Sequence, residues 1–409
     1  VETPRLPVGE RVRYYRRKNG NRKQAAVAGL CGITERYLSQ IENGHKVPSP
    51  EVLARLASEL GVPVAALLSD EAPQQTPSAP LTSSPDIVRA LMGHQADRSS
   101  VPANPVSPAD LRERVEAAWS SWQSSPIRFT DAESVLPALI ADTEHAVRAH
   151  QPPGEAAVRR EALRAAADLY GLLRSYCRRT GRNDLSLLVA DRAMRAAEDA
   201  DDPIRVAAAQ WNLGHVLLST DRADAAAEAA ETAAHGIARL DSVSPGPEAA
   251  ALKGALELVS VVAEARQQRW WQARERLRER AGPMAELAGE SNRQWTVFGP
   301  TNVTLHAMSV EMLAGEAAEA LRLADAIDTS SLPSCERAFT FRLEVAECYD
   351  QRREDAAVLV HLRDLEVLAP EDMARSPLAH NLIVRLLHRI RPMYRQQVAQ
   401  LAERLGIAA

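Results

Sequence analysis

From residue 108 to the last residues of the chain, apolar side chains recur at three- and four-residue spacing in stretches separated by short breaks. The pattern predicts helices over 108–124, 131–150, 155–179, 183–200, 203–219, 222–240, 247–268, 270–288, 300–314, 316–328, 334–351, 354–368, 371–390 and 393–405. Two starts are marked by a capping side chain ahead of a proline, at Ser107-Pro108 and Asp202-Pro203. No useful length of period-2 alternation is present. Aromatic residues are only 4 % of the chain, which disfavours a β-sandwich or barrel. The expectation is an all-α protein.

Taken two at a time, these helices form seven pairs of about 35–50 residues, the sign of a solenoid of antiparallel hairpins. One pair carries more. Trp211-Asn212-Leu213-Gly214, followed by Ala223, Ala226 and Ala230, resembles a tetratricopeptide repeat. The other pairs lack that signature, and their length drifts from the usual roughly 34 residues. The expected C-terminal part is therefore a tetratricopeptide-like α-solenoid, with a generic helical bundle as the alternative.

Between residues 71 and 108 the character changes, with seven prolines and six serines. Such a stretch buries too little apolar surface to offset its ordering entropy and reads as a linker. Inside it, helical spacing at 86–92 predicts a short helix that docks on a neighbour. The expected organisation is a head over 1–70, a linker over 71–107 and a helical-repeat sensor and dimerisation domain over 108–409.

Composition adds limits. No run of 18 uncharged apolar residues exists, so no membrane span is expected. The first residues, Val1-Glu2-Thr3-Pro4-Arg5, carry no apolar signal core. Cys31, Cys177, Cys335 and Cys348 stand far apart without a C-x-x-C pair, and read as reduced thiols of a cytoplasmic protein. Charge is lopsided: residues 1–70 hold 11 Lys/Arg against 7 Asp/Glu, or +4, which leaves −9 for the rest of a chain whose net charge is −5. A basic head on an acidic body points to nucleic acid at the head; an ordinary solvated face is the plainer alternative.

Residues 8–68 carry the sharpest signal. A short helix starts at Gln24 and a glycine-led turn follows at Gly32-Ile33. A second helix, capped by Thr34, reads Glu35-Arg36-Tyr37-Leu38-Ser39-Gln40-Ile41-Glu42 and stops at Asn43-Gly44. Ser49-Pro50-Glu51 opens another helix, and Gly61-Val62 breaks it before Val64–Leu68. The run Q-x-x-V-A-x-x-x-G-I-T-x-x-Y-L-S-Q-I-E-N-G-x-x-x-P-S resembles the Xre and phage-repressor (lambda and Cro type) helix-turn-helix family. The resemblance implies five lambda-repressor-like helices, the third lying in the major groove of DNA.

Carried over by position, Glu35, Arg36 and Gln40 face base edges. Arg donates twice to guanine, Gln pairs with adenine, and Glu can accept from cytosine. Gln24, Asn43 and Lys46 match backbone-positioning sites, with Thr34, Tyr37 and Ser39 nearby. Arg16 and Glu42 match a structural ion pair, and Val27, Ala28, Leu38, Ile41, Leu53 and Leu56 the core. One departure stands out. Arg22 occupies a place where the family has an apolar residue, and the Gly20-Asn21-Arg22-Lys23 loop reads one residue longer, so Arg22 and Lys23 are expected to add phosphate contacts.

No phosphate-binding loop, dinucleotide fingerprint, zinc-protease or nucleophile-elbow motif occurs. No enzyme activity, metal or cofactor is expected. In the body, Trp211, Asn212 and His215 form one polar constellation, and Phe298, Asn302 and His306 form another. Each sets an Asn and a His about one turn apart beside an aromatic residue. Amide side chains on inner helices can donate to C=O and accept from N–H of an extended peptide. The plainer alternative is that both asparagines bridge helices.

An Xre head on such a body resembles the peptide-sensing quorum regulators of Gram-positive bacteria, and the Phe298-Gly299-Pro300-Thr301-Asn302-Val303 stretch resembles Xre/tetratricopeptide regulators of Streptomyces. The resemblance implies a homodimeric transcriptional regulator that reads a pseudo-palindromic duplex operator and binds a peptide or small-molecule effector. The alternatives are a DNA-tethered interaction scaffold without a small ligand, and an enzyme or antitoxin module fused to a helix-turn-helix.

Overall fold

A computed structural model of the protein describes residues 8–18, 22–62, 64–68, 84–93, 105–150, 154–220, 222, 224–243, 245–328, 332 and 334–407, and these are all helix and connection, with no strand among them. The chain divides into two compact units. One comprises Val1–Ala79, Glu311–Asp325 and Phe339–Ala409; the other comprises Pro80–Val310 and Ala326–Ala338.

The first unit opens with α1 (Val8–Lys18), α2 (Gln24–Leu30), α3 (Glu35–Glu42), α4 (Pro50–Leu60) and α5 (Val64–Leu68). This is the five-helix head. Val12, Val27, Ala28, Leu38, Ile41, Leu53 and Leu56 form its core together with Cys31 and Leu60. Thr34 and Ser49 cap α3 and α4 through their side-chain oxygens, as their positions require. Gly32 at φ +65° makes the turn into α3. Gly9 is needed for a different reason: a Cβ there would lie 1.9 Å from the Ile41 carbonyl oxygen, so α1 and α3 meet backbone to backbone.

The same unit holds α17 (Ala317–Ala324), α19 (Asp355–Leu368), α20 (Pro370–Arg375), α21 (Pro377–Arg389) and α22 (Pro392–Arg404), with most of α18 (Cys335–Gln351). These helices pack against the head through buried charge. Arg22 pairs with Glu59 at 2.6 Å, and Arg353 reaches the same carboxylate. Arg385 pairs with Glu347 at 2.6 Å and Asp350 at 2.9 Å, while Arg389 takes Asp350 and Asp355. Gly61, the left-handed cap of α4, lies against the Arg385 stem, with no room for a Cβ. Packing therefore groups the last helices with the head, whereas the composition change at residue 107 groups them with the body.

The second unit starts with α6 (Pro85–Leu91), the short helix expected inside the linker; the neighbouring stretches 69–83 and 94–104 lie outside the described residues. Its Ile87 and Leu91 are buried, Ser84 N–H donates to Tyr176 Oη at 3.1 Å, and Arg192 donates to Leu91 O at 2.9 Å. There follow α7 (Pro108–Ser124), α8 (Arg128–Ala149), α9 (Ala156–Arg179), α10 (Asn183–Asp199), α11 (Pro203–Leu218), α12 (Ala225–Leu240), α13 (Pro247–Arg266), α14 (Trp270–Arg276), α15 (Gly282–Ala288) and α16 (Pro300–Ala314), the last continuing into the first unit. Consecutive helices joined by short turns pack as hairpins, α9 on α10 and α11 on α12.

Small residues set the close approaches, with a shift from the expected register. Ala225, Ala229, Ala233 and Gly236 are the buried face of α12, whereas Ala226 and Ala230 are half-buried and Ala223 lies outside the described residues. Two long spans are interrupted. Leu277–Ala281 is a π-helical turn between α14 and α15. Ser376-Pro377 divides the predicted 371–390 helix into α20 and α21, because proline lacks the N–H that would continue the ladder and Ser376 caps the new start.

Candidate nucleic-acid interface and effector groove

Helix α3 is held from behind and open in front. Leu38 and Ile41 are fully buried, and Glu42, at the helix end, is 1 % exposed. Its carboxylate accepts from Arg16 at 2.6 and 2.8 Å and from Gln24 Nε2 at 2.7 Å. Arg13 donates to Glu42 O at 2.9 Å and also reaches Asn43 Oδ1. Glu35, Arg36 and Asn43 are exposed, with Ser39, Gln40 and Tyr37 half-buried beside them. Arg36 and Gln40 stand four residues apart and so share a face. Beyond the helix, the His45 and Lys46 N–H groups both donate to Gln40 O, at 2.8 and 3.1 Å, and Lys46 is left in solvent. Arg36 and Lys46 are therefore open to solvent, and Gln40 partly so.

Three expected phosphate positions look different in three dimensions. Gln24 spends its amide donor on Glu42. Lys23 is exposed and pairs with Glu316 at 2.9 Å, a solvent-accessible contact of little energy. Arg22 is the correction: it is 7 % exposed, its guanidinium pairs with Glu59, and its own carbonyl accepts from Arg16 at 2.5 Å. A side chain so placed is scaffold and does not reach a phosphate. Gly20 and Asn21, which carry the expected longer loop, lie outside the described residues.

In the body, both constellations lie near arginines, and His306 is among the electrostatic neighbours of His215. Arg174 on α9 donates to Asn212 Oδ1, and its guanidinium carbon stands 5.5 Å from the centre of the Trp211 ring. Trp211 meets His215 edge-on at 4.7 Å. On α16, His306 Nδ1 lies 2.8 Å from Asn302 O, and Asn302 Oδ1 is buried without a hydrogen-bond partner among the described residues. Burial and then Arg174, Arg178, Arg337 and His306 push the His215 imidazole well below its usual range. Burial and then Arg337 lower His306 to about 4. Both are neutral at pH 7. Phe298 is the second correction: its ring is fully buried where a Cβ on Gly254 would be, 1.9 Å from Cζ, so it is core and does not wall a groove. A void of about 10 Å³ beside Asn212, Trp119, Arg205 and Trp295 has room for about one water.

The lead into α16 is strained. Gln294, Trp295 and Val297 all have positive φ, a conformation costing about 1–3 kcal/mol per residue. It is held by Trp119, stacked on Trp295 at 5.4 Å, and by Gln123, which donates to Trp295 O at 3.2 Å.

Around Glu336 the arginines converge. Arg128 lies 3.0 Å and Arg178 3.4 Å from its carboxylate, and Arg179 also donates to it. Burial pushes this carboxyl up, but Arg179, Arg128 and Arg178 outweigh it and hold the group well below the ordinary range. Arg174 and Arg178 sit at a four-residue spacing within an Ala/Leu-rich helix, a pattern that reads as a solvated stripe, so sequence alone had no signal for their burial. Among the described residues no group of three His, Cys, Asp or Glu could hold a metal ion, and no helix is long and apolar enough to cross a membrane.

Residues 12–67 match a protein family described as helix-turn-helix, and the head is a helix-turn-helix domain. No curated protein matches the chain. Among solved structures it is similar to the crystal structure of Bacillus thuringiensis PlcR in complex with the peptide PapR7 and DNA, at 9 % sequence identity and a TM-score of 0.30, over 86 % of this chain and 98 % of that chain. Similarity at that level carries no argument about what this chain binds.

Proposed function

We propose that the protein is a sequence-specific DNA-binding transcriptional regulator, in which residues 1–70 read duplex DNA and the helical body over 108–409 dimerises and binds an effector, a peptide or a small molecule. The observation that carries this reading is the α3 surface. Arg36 and Gln40 project from a helix anchored on its other side, in a domain whose class places such a helix in the major groove. Arg and Gln are the side chains that match guanine and adenine edges, and Glu35 at the helix start is suited to cytosine. Lys46, Asn43, Ser39, Tyr37 and Thr34 lie where phosphates flank such a helix.

One helix reads few base pairs, so selective binding in a genome calls for two heads on a two-fold related site with half-sites about 34–36 Å apart. In the body, Trp211, Asn212, His215, Asn302 and His306 form the effector region. Their buried amides favour a ligand with peptide-like donors and acceptors, and the unpartnered Asn302 Oδ1 supports that assignment.

The test is a DNA selection on full-length protein, followed by sedimentation on the selected duplex. The proposal expects a pseudo-palindromic consensus bound by two chains; absence of a consensus overturns it. A double Asn212→Ala/Asn302→Ala variant is expected to keep its basal DNA affinity and lose the response to host extract. An unchanged response removes the effector region from the reading.

A further inference from the structure

Three guanidiniums in the body bond one carboxylate, and a fourth, that of Arg174, lies within its field. Arg128, Arg178 and Arg179 all bond Glu336, and Glu336 is the one carboxylate among the main electrostatic neighbours of Arg174 and Arg178. Arg174 is 3 % exposed; among the described residues its Nε is buried without a hydrogen-bond partner, and its guanidinium donates to a neutral acceptor, Asn212 Oδ1. Arg178 also has an unpartnered buried Nε. Burying cations in excess of their counter-charge is costly, so such an excess persists where a ligand offsets it.

The group is partly open to solvent. The Arg178, Arg179 and Glu336 side chains are 23 %, 26 % and 20 % exposed, and Arg174, one turn before Arg178 on α9, is buried.

We propose that Arg174, Arg178 and Arg179, arranged around Glu336, form a binding site for an anionic group, a carboxylate or a phosphate, carried by the effector. This rests on the effector reading above and narrows it to ligands with at least one such group. Planar guanidiniums bind both anions through paired N–H donors, so the geometry selects the shared chemistry. The wider field agrees. Burial and then Arg179 act on Arg178, whose pKa is driven well below its usual value, and Arg174 is lowered to about 10 by burial, with Glu336 the opposing neighbour.

The experiment measures the melting temperature of full-length protein against inorganic phosphate and, separately, citrate, with sodium chloride at matched ionic strength as control. Wild type is expected to show a saturable rise with phosphate, citrate or both, and none with chloride; the stronger of the two names the anion. Arg178→Met is expected to melt no lower than wild type without anion, because Glu336 keeps Arg128 and Arg179, and to bind the anion roughly tenfold more weakly. Arg178→Lys, which keeps the charge without the fork, should fall between them and serves if Arg178→Met does not fold. Arg195→Met, on an exposed side chain of α10, should match wild type.

No saturable rise in wild type, or equal anion affinity in wild type and Arg178→Met, overturns the proposal. DNA affinity measured on the same samples keeps the two readings apart. A protein that binds anion but no DNA retains the site and loses the regulator assignment; one that binds DNA but no anion does the reverse.

Discussion

Arg16 donates to both carboxylate oxygens of Glu42, at 2.6 and 2.8 Å, across 26 positions of the chain and with both side chains buried. The pair ties α1 to the end of α3 and so fixes the angle at which the exposed face of α3 is presented. Removing Arg16 leaves the buried Glu42 carboxylate with Gln24 at 2.7 Å and Arg13 at 3.7 Å, a weaker compensation, so Arg16→Met is expected to cost up to about 3–5 kcal/mol, while Arg16→Met/Glu42→Met recovers much of it. Hydrogen exchange of the α3 amides in the full-length protein reads both.

The α3 face makes a second prediction. Arg36→Ala and Gln40→Ala should each cost about 1–3 kcal/mol on the preferred duplex and relax preference at particular base pairs. Lys46→Ala should weaken all duplexes alike and make the salt dependence shallower by about one unit of slope. A salt titration against preferred and scrambled duplexes separates them. Equal losses on both duplexes for Arg36→Ala would show that α3 does not read bases.

Close backbone contact yields a third. Gly9→Ala pushes a Cβ onto the Ile41 carbonyl and must part α1 from α3, at a cost of about 1–3 kcal/mol or more. Gly29→Ala meets nothing within 4 Å and should stabilise α2 by roughly 0.5–1 kcal/mol. Denaturant titration of the two variants checks the contrast; a harmless Gly9→Ala contradicts the close approach.

The fourth concerns pH. His306 is lowered to about 4, and His215 is also depressed, whereas an unfolded histidine titrates near about 6.5. Between these values the unfolded chain binds more protons than the folded one, so stability falls as pH drops from about 6.5 toward about 4; above about 6.5 these groups contribute no slope. Urea unfolding between about pH 7.5 and about pH 5 should show that loss, and His306→Asn should reduce it. A profile identical to wild type would mean His306 charges freely in the folded protein.

Much of the helical plan is legible because helix starts are local chemistry. The spans 108–124 and 300–314 end where the sequence places them, and Asp202, Ser107, Thr34 and Ser49 cap as their positions imply. The interruption at Ser376-Pro377 was equally local and was still read through, since the apolar spacing continues across it. Arg22 and Phe298 were misplaced for another reason. A lysine-flanked arginine reads as a DNA-facing cation, and a Phe before Gly-Pro reads as a pocket wall, until Glu59 and Gly254 are known to lie against them.

Periodicity, capping and the Gln24-to-Gly44 pattern determine by themselves that the protein is helical, that its head is a helix-turn-helix and which side chains of α3 lie outward. These are properties of residues within about one turn of each other, or of a short stretch whose spacing admits one arrangement. Tertiary structure alone decides that Glu59 belongs with Arg22 and Arg353, that Arg385 lies beneath Gly61, and that Arg128, Arg174 and Arg179 surround Glu336. A charged residue carries no local mark of its partner. Burial turns an arginine from a solvated stripe into a site, and burial is set by packing between helices far apart in the chain.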